Sequence, residues 1–234
     1  MPRFKIKSVF GSPKTPPAMD SPRTFQEDDD PPLTPLQLKG YKSTTHHKLL
    51  PTELAEELRL HIPPILQISH SWTLQYSLEQ DGTSLNTFYS RTRPQPGEST
   101  ARRKGYLLVV MDTQHRLFGA YLNDYLRPLD KKQYYGNGDC FLWKAERDSI
   151  KNIHTLEASG EQLRLKVFPY TSMNDYIIYS NHNFVSIGSG GGRFGLYING
   201  DLENGATDSV ETFGNEPLTT EKFKILGLEL WKID

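Results

Sequence analysis

The sequence predicts a mainly β domain of the α+β kind: a two-sheet antiparallel β-sandwich flanked by short helices, behind an N-terminal leader read as disordered. Three observations predict it. Helical periodicity is confined to two short segments before residue 95. From Tyr106 onward the chain is a succession of short β-branched and aromatic runs, each bounded by Gly, Asn, Asp or Pro. No βαβ alternation intervenes, so neighbouring strands must return antiparallel and pack face to face.

The leader covers residues 1–42 and the folded domain residues 43–234. "PRFKIKSVFGSPKTPPAMDSPRTFQEDDDPPLTP" is rich in Pro, Ser and charge, and its apolar residues keep no lasting period. Such a stretch buries too little apolar surface to offset the entropy of ordering it. Its basic start, without an acid before Asp20, resembles a mitochondrial transit peptide; Pro2, Pro13, Pro16 and Pro17 break the helix such a peptide needs. Ser12, Thr15, Ser21 and Thr34 each precede a proline, the pattern that proline-directed kinases read, and phosphorylation there would add charge.

Within the domain, "PTELAEELRLHIPP" (Pro51 to Pro64) reads as a helix. Thr52 is its expected cap, Glu53, Glu56 and Glu57 suit the positive end of its dipole, and two prolines stop it. Leu54 and Leu58 share the face that packs on the core. Leu85, Phe88 and Tyr89 place a second helix in "TSLNTFYSRTR". "YLLVVMD" (Tyr106 to Asp112) is almost continuously apolar, as a strand buried on both faces requires. Thr113-Gln114-His115 turns it into "RLFGAYL", a hairpin. "CFLWKA", "LRLKVFPY", "YIIYS", "FVSIGS", "FGLYI" and "KILGLELWKI" supply the remaining strands.

Composition narrows the function. The 234 residues carry 27 basic and 28 acidic side chains, a net charge of −1, so phosphate neutralisation on nucleic acid is not expected. A single cysteine, Cys140, excludes an internal disulfide and fits a reducing compartment. No secretory signal and no stretch of about 18 apolar residues is present. The expectation is a soluble, cytoplasmic protein without membrane insertion, with a mitochondrial address as the alternative.

"SIGSGGGRFGLYINGD" (Ser186 to Asp201) tests the enzyme hypothesis most directly. Gly190, Gly192 and Gly195 match G-x-G-x-x-G, but a dinucleotide fingerprint needs a helix after the glycines, and "FGLYI" consists of β-formers. No Lys-Ser or Lys-Thr closes a Walker motif, and no H-R-D or D-F-G accompanies a kinase loop. The stretch therefore reads as strand, turn, strand. The seven histidines show no H-x-x-x-H or H-E-x-x-H spacing. Asn199 to Glu211 resembles a calcium loop in composition only: Asn204 replaces the required glycine and Val210 the bidentate glutamate. A carboxylate at Asp139 beside Cys140 disfavours a reactive thiolate. No catalytic residue, cofactor or metal is predicted.

Landmarks in a fixed order carry a resemblance. "WTLQYSLEQDGTSLNTFY", "GYLLVVMD", "LFGAYL", "YYGNGDCFLWK", "IGSGGGRFGLYINGDL", "TFGNEPL" and "LGLELW" together resemble a TLDc domain from about Leu50 to the C-terminus. The resemblance implies the two-sheet sandwich, protection against oxidative stress, and no established enzymatic mechanism. It also implies a partner, the soluble V1 sector of the vacuolar-type proton ATPase. The chain would release that sector from the membrane sector and would be recruited to the vacuolar membrane, itself a monomer when free. Relatives often carry a cysteine just before the "TF" pair, where this chain has Val210, so scavenging by that thiol is not expected.

Among the landmarks, Trp72, Phe141, Trp143, Phe194 and Trp231 are expected as core anchors, and Gly136, Gly138, Gly190 and Gly195 as sites of tight backbone geometry. Thr212, Phe213 and Asn215 belong to the "TFGNEPL" signature. Glu229, between Leu228 and Leu230, reads either as a satisfied structural carboxylate or as a partner contact. The candidate contact residues are Arg193, Asp201, Glu203, Asp208 and Glu211, with the basic set Arg102, Arg103 and Lys104.

Overall fold

The computed structural model describes residues 33–95, 97, 103–151 and 158–234. The sequence-predicted leader lies mostly outside them. Residues 33–42, assigned to it by composition, are built into the domain: Leu36 is buried, and β1 (Gln37–Lys39) pairs parallel with β2 (Ser71–Ser77). Local composition misses this strand because its partner lies 34 residues further on, at Ser71 opposite Gln37.

Apart from β1 the strands pair antiparallel. They follow one hydrogen-bonded path in the order β6 (Ala158–Pro169), β5 (Phe141–Lys151), β4 (Leu117–Leu122), β3 (Gly105–Asp112), β11 (Lys222–Ile233), β10 (Asn204–Ala206), β9 (Arg193–Asn199), β8 (Phe184–Gly190) and β7 (Ile178–Ser180). β11 serves both limbs. Its first residues, Lys222–Lys224, pair with β10, and the rest pair with β3 and, from Glu229, with β2 as well. The register slips between Ile225 and Gly227, so Leu226 is bulged where the strand passes from one limb to the other.

Two apolar clusters explain the pattern of β3. Leu108 and Val110, with Phe118 and Ala120 of β4, meet Val185 and Ile187 of β8 and Leu196 and Ile198 of β9. Leu107 and Val109 face the other way, with Tyr121, Trp143 and Trp231, onto Leu54, Ala55 and Leu58 of α1 (Thr52–Arg59). A strand covered on both faces has no solvent side, hence its unbroken apolar run. Each such Leu or Phe contributes roughly 1.5–3 kcal/mol through burial.

The helices differ in detail from the sequence reading. Thr52 is the first helical residue and not the cap; Pro51 occupies the cap position and makes no side-chain cap bond. α1 already stops at Arg59, and Pro64, expected to stop it, instead opens α2 (Pro64–Gln67), because its fixed φ suits a first turn. A short α3 (Leu78–Asp81) precedes the expected α4 (Leu85–Thr92), which Ser84 caps through the Thr87 N–H.

Candidate functional site

β8 and β9 are joined at Gly191 and Gly192, with φ of 58° and 80°, so the glycine stretch is a two-residue hairpin. Both positions need the left-handed backbone that glycine adopts without cost. Gly195 has a different reason: an added methyl group would lie 2.7 Å from Leu142 Cδ1 and 3.0 Å from the Ile187 carbonyl. No helix N-terminus receives a phosphate here, as the β-forming residues after the glycines predict.

Thr212 holds this hairpin to the body. Its buried hydroxyl accepts from the Ser189 N–H at 3.1 Å and sits 2.8 Å from both the Ser189 carbonyl and Asn174 Oδ1. Asn215, also buried, donates to the Asp208 and Glu216 carbonyls. Phe213 packs beneath Gly188, and Val210 is buried beside it. The "TFGN" signature is therefore the clamp under the hairpin.

The predicted contact residues divide into separate places. Arg193 Nη1 pairs with Asp208 Oδ1 at 3.2 Å, and the Glu211 backbone lies under Gly190; these three form the hairpin rim. Arg193 projects further than Asp208, with 65% of its side chain exposed against 25%. Asp201 and Glu203 lie at the opposite end of β9, roughly 20 Å away for a seven-residue strand. There Asp201 Oδ1 accepts the Glu203 N–H at 2.7 Å and shapes the turn. Arg103 is ion-paired with Asp139 in a third region, where Lys104 leads into β3. Arg102 lies outside the described residues. No single surface gathers the set.

Of the structural landmarks, Trp72, Phe141, Trp143 and Trp231 are buried as expected. Gly136, with φ of 94°, and Gly138, whose added methyl would meet the Tyr170 ring at 3.0 Å, shape the turn before β5. Phe194 is not a core anchor. It is half-exposed and belongs to a row of aromatic rings, Tyr134, Tyr176, Tyr179, Phe184 and Tyr197, with centroids 4.8–6.0 Å apart. Gly188, with φ of 73°, disturbs the pleat opposite Gly195, so parity along β9 misplaces the ring.

Glu229 is a structural carboxylate, fully buried. It accepts from the Tyr41 hydroxyl, the Leu49 N–H at 3.1 Å and the Trp231 indole N–H at 3.0 Å. Burial pushes its carboxyl above the usual range, and the donors from Leu49, Tyr41 and Trp231 offset part of that. Cys140 is equally enclosed, with 1% exposure and Sγ 3.1 Å from Asn123 Oδ1. Burial pushes the thiol up to about 11, with Asp139 a lesser contributor in the same direction. The sequence argument named the carboxylate; the larger cause is burial.

Sequence reasoning also missed a cleft of about 660 Å³ where β11 changes limbs. It is lined by Leu49, Leu78, Met111, His115 and Leu226, among others. Its parts come from four distant segments, and the one hint was the apolar Leu226 at an outward position of the strand, in phase with Lys222 and Lys224. Among the described residues no group of three or more His, Cys, Asp or Glu is placed to hold a metal ion, and no helix is long and apolar enough to cross a membrane.

Residues 43–234 match the family model described as the TLDc domain. The chain is similar to oxidation resistance protein 1 of Debaryomyces hansenii, 42% identical over 251 residues, covering 89% of this chain and 78% of that protein. The corresponding protein of Yarrowia lipolytica is 42% identical over 203 residues, covering 87% of this chain and 81% of its own. That of Saccharomyces cerevisiae is 39% identical over 228 residues, with 91% and 82% covered.

Proposed function

The chain belongs to the TLDc domain family, and on that premise we propose that it serves resistance to oxidative stress as a non-enzymatic interaction module. In this reading it works as a monomer in the cytoplasm. It binds the soluble sector of the vacuolar-type proton ATPase at the vacuolar membrane and promotes release of that sector from the membrane sector.

One observation supports protection through a partner over direct scavenging: the enclosure of Cys140. A thiol attacks peroxide as thiolate, and a thiol held near a pKa of about 11 is overwhelmingly protonated at neutral pH. The position where relatives often place a second thiol is the buried Val210. Family resemblance supports the identity of the partner, and the relatives' names support the link to oxidative stress. Arg193 at the hairpin rim is the contact candidate, since it alone of the rim trio projects a mostly exposed cation.

The test is direct. Purified chain mixed with purified soluble sector is expected to co-migrate on size exclusion, and vacuolar membranes incubated with it are expected to lose that sector. Arg193→Glu is expected to weaken the association. Absence of binding to either the free or the membrane-assembled sector overturns the proposal.

A further inference from the structure

We infer that the cleft at the β11 bulge is a docking site for an acidic peptide segment carrying an apolar anchor side chain. The inference goes beyond the proposed partnership and does not depend on the partner's identity.

The floor of the cleft is apolar. Leu226 is 47% exposed although it is apolar and sits in the strand common to both limbs, because it continues the outward-facing row of Lys222 and Lys224 up to the bulge. Leu49, Leu78, Met111 and Leu228 line the same cavity, so an incoming Leu or Phe ring would find apolar contact on several sides. A lone exposed leucine needs no explanation; one at the base of a cleft of about 660 Å³ marks a place to bury something.

The flank of the cleft is basic. Lys222 and Lys224 precede Leu226 at every second residue of β11 and are exposed beside it on one face. Neither has an ion-pair partner among the described residues, and the neighbouring acids Glu203 and Glu221 make no ion pair with them. Thr113, which donates its N–H to the Lys224 carbonyl, lines both this cleft and the neighbouring cavity that holds Lys222 and Lys224, so the lysine row lies alongside the cleft. His47 and His115 are among its lining residues. The one carboxylate in the lining, Glu79, is engaged: its oxygens accept the His46 and His47 N–H groups at 2.8 and 3.0 Å. Those two amides hold it below the usual carboxylate range. An apolar cleft with exposed lysines alongside is complementary to a segment in which acids flank an apolar residue.

The experiment uses the full chain and three fluorescein-labelled peptides read by anisotropy. One has Leu-Phe between runs of Asp and Glu, one replaces Leu-Phe with Ser-Ser, and one replaces the acids with Lys. Only the first is expected to bind, and salt is expected to weaken it. Leu226→Asp, and separately the double change Lys222→Glu with Lys224→Glu, are each expected to weaken it by about tenfold or more. All three positions are exposed, and unchanged thermal melting verifies that the variants fold. Equal binding of the Lys peptide, or affinity indifferent to both variants, overturns the inference. Two further outcomes also overturn it. One is oleate binding that Leu226→Asp abolishes while no peptide binds, which makes the cleft a fatty-acyl site. The other is a Leu226-dependent dimer in sedimentation that excludes peptide, which makes it a self-association surface.

Discussion

The Tyr41 hydroxyl stands 2.9 Å from each carboxylate oxygen of Glu229, joining residues 188 apart in the chain. The Tyr41 ring also packs edge-on against Trp231 at 5.2 Å. The segment before α1 is thereby fastened to the last strand by a buried carboxylate. Tyr41→Phe removes one donor from a fully enclosed acceptor and is expected to cost about 1–3 kcal/mol in urea unfolding. A carboxyl held above its unfolded value adds stability below about pH 4.3, and that share is lost as pH rises through the folded value. Glu229→Gln also orphans part of the donor set, a constant cost. Above that pH its stability relative to the native chain is expected to climb with pH until Glu229 is fully ionised. A difference that stays flat from pH 4 to 8 contradicts the buried-carboxylate account.

Asp112 titrates in the opposite sense. It is 1% exposed, yet its carboxyl lies below the usual range: burial pushes it up, and the Thr219 hydroxyl at 2.6 Å with the Arg116 amide and guanidinium outweigh that. A depressed carboxyl contributes stability above the unfolded value of about 3.9, lost as pH falls through the folded one. Asp112→Asn is expected to cost about 2 kcal/mol at pH 7, with the deficit shrinking toward pH 3 in parallel unfolding curves.

The glycines of the phosphate-loop spacing are expected to separate by mechanism. Gly195→Ala forces a methyl against Leu142 and the Ile187 carbonyl and is expected to cost about 1–3 kcal/mol. Gly192→Ala meets no atom within 4 Å and bears only the cost of a left-handed φ, about 1 kcal/mol. Thermal melts of the two variants give the ranking, and a larger loss at Gly192 would reverse the assignment.

Cys140 is expected to resist thiol reagents in the folded chain at pH 8 and to react fully in denaturant, since its Sγ is both enclosed and protonated. Cys140→Ala, close in volume, is expected to leave survival under peroxide unchanged in cells that depend on this protein. Fast labelling of the native thiol, or loss of protection, would restore direct thiol chemistry as the mechanism.

Much of the fold was legible in local pattern. The double-sided burial of Leu107 to Val110, the hairpin at Thr113 to His115 and the glycine turn all follow from residue types at short range. Phe194 and Thr52 were misread for short-range reasons too, a pleat disturbed near Gly188 and a proline in the cap position. The candidate contact residues Arg193, Asp201 and Arg103 lie in three separate regions, a separation that local charge does not reveal. Local sequence does not distinguish a structural Glu229 from a partner-facing one, because Tyr41 and Leu49, which fold over it, lie 188 and 180 residues away in the chain.

By itself the sequence determined the β-rich architecture, the absence of a phosphate-binding helix after the glycines, and the family. Those properties reside in periodicity, turn residues and ordered landmarks, which are local or collinear along the chain. The tertiary structure decided which carboxylates are buried, that Cys140 is closed off, and that Leu226 opens onto a cleft. Burial and electrostatic partnership depend on which distant segments meet, and here they meet at β11, the strand common to both limbs.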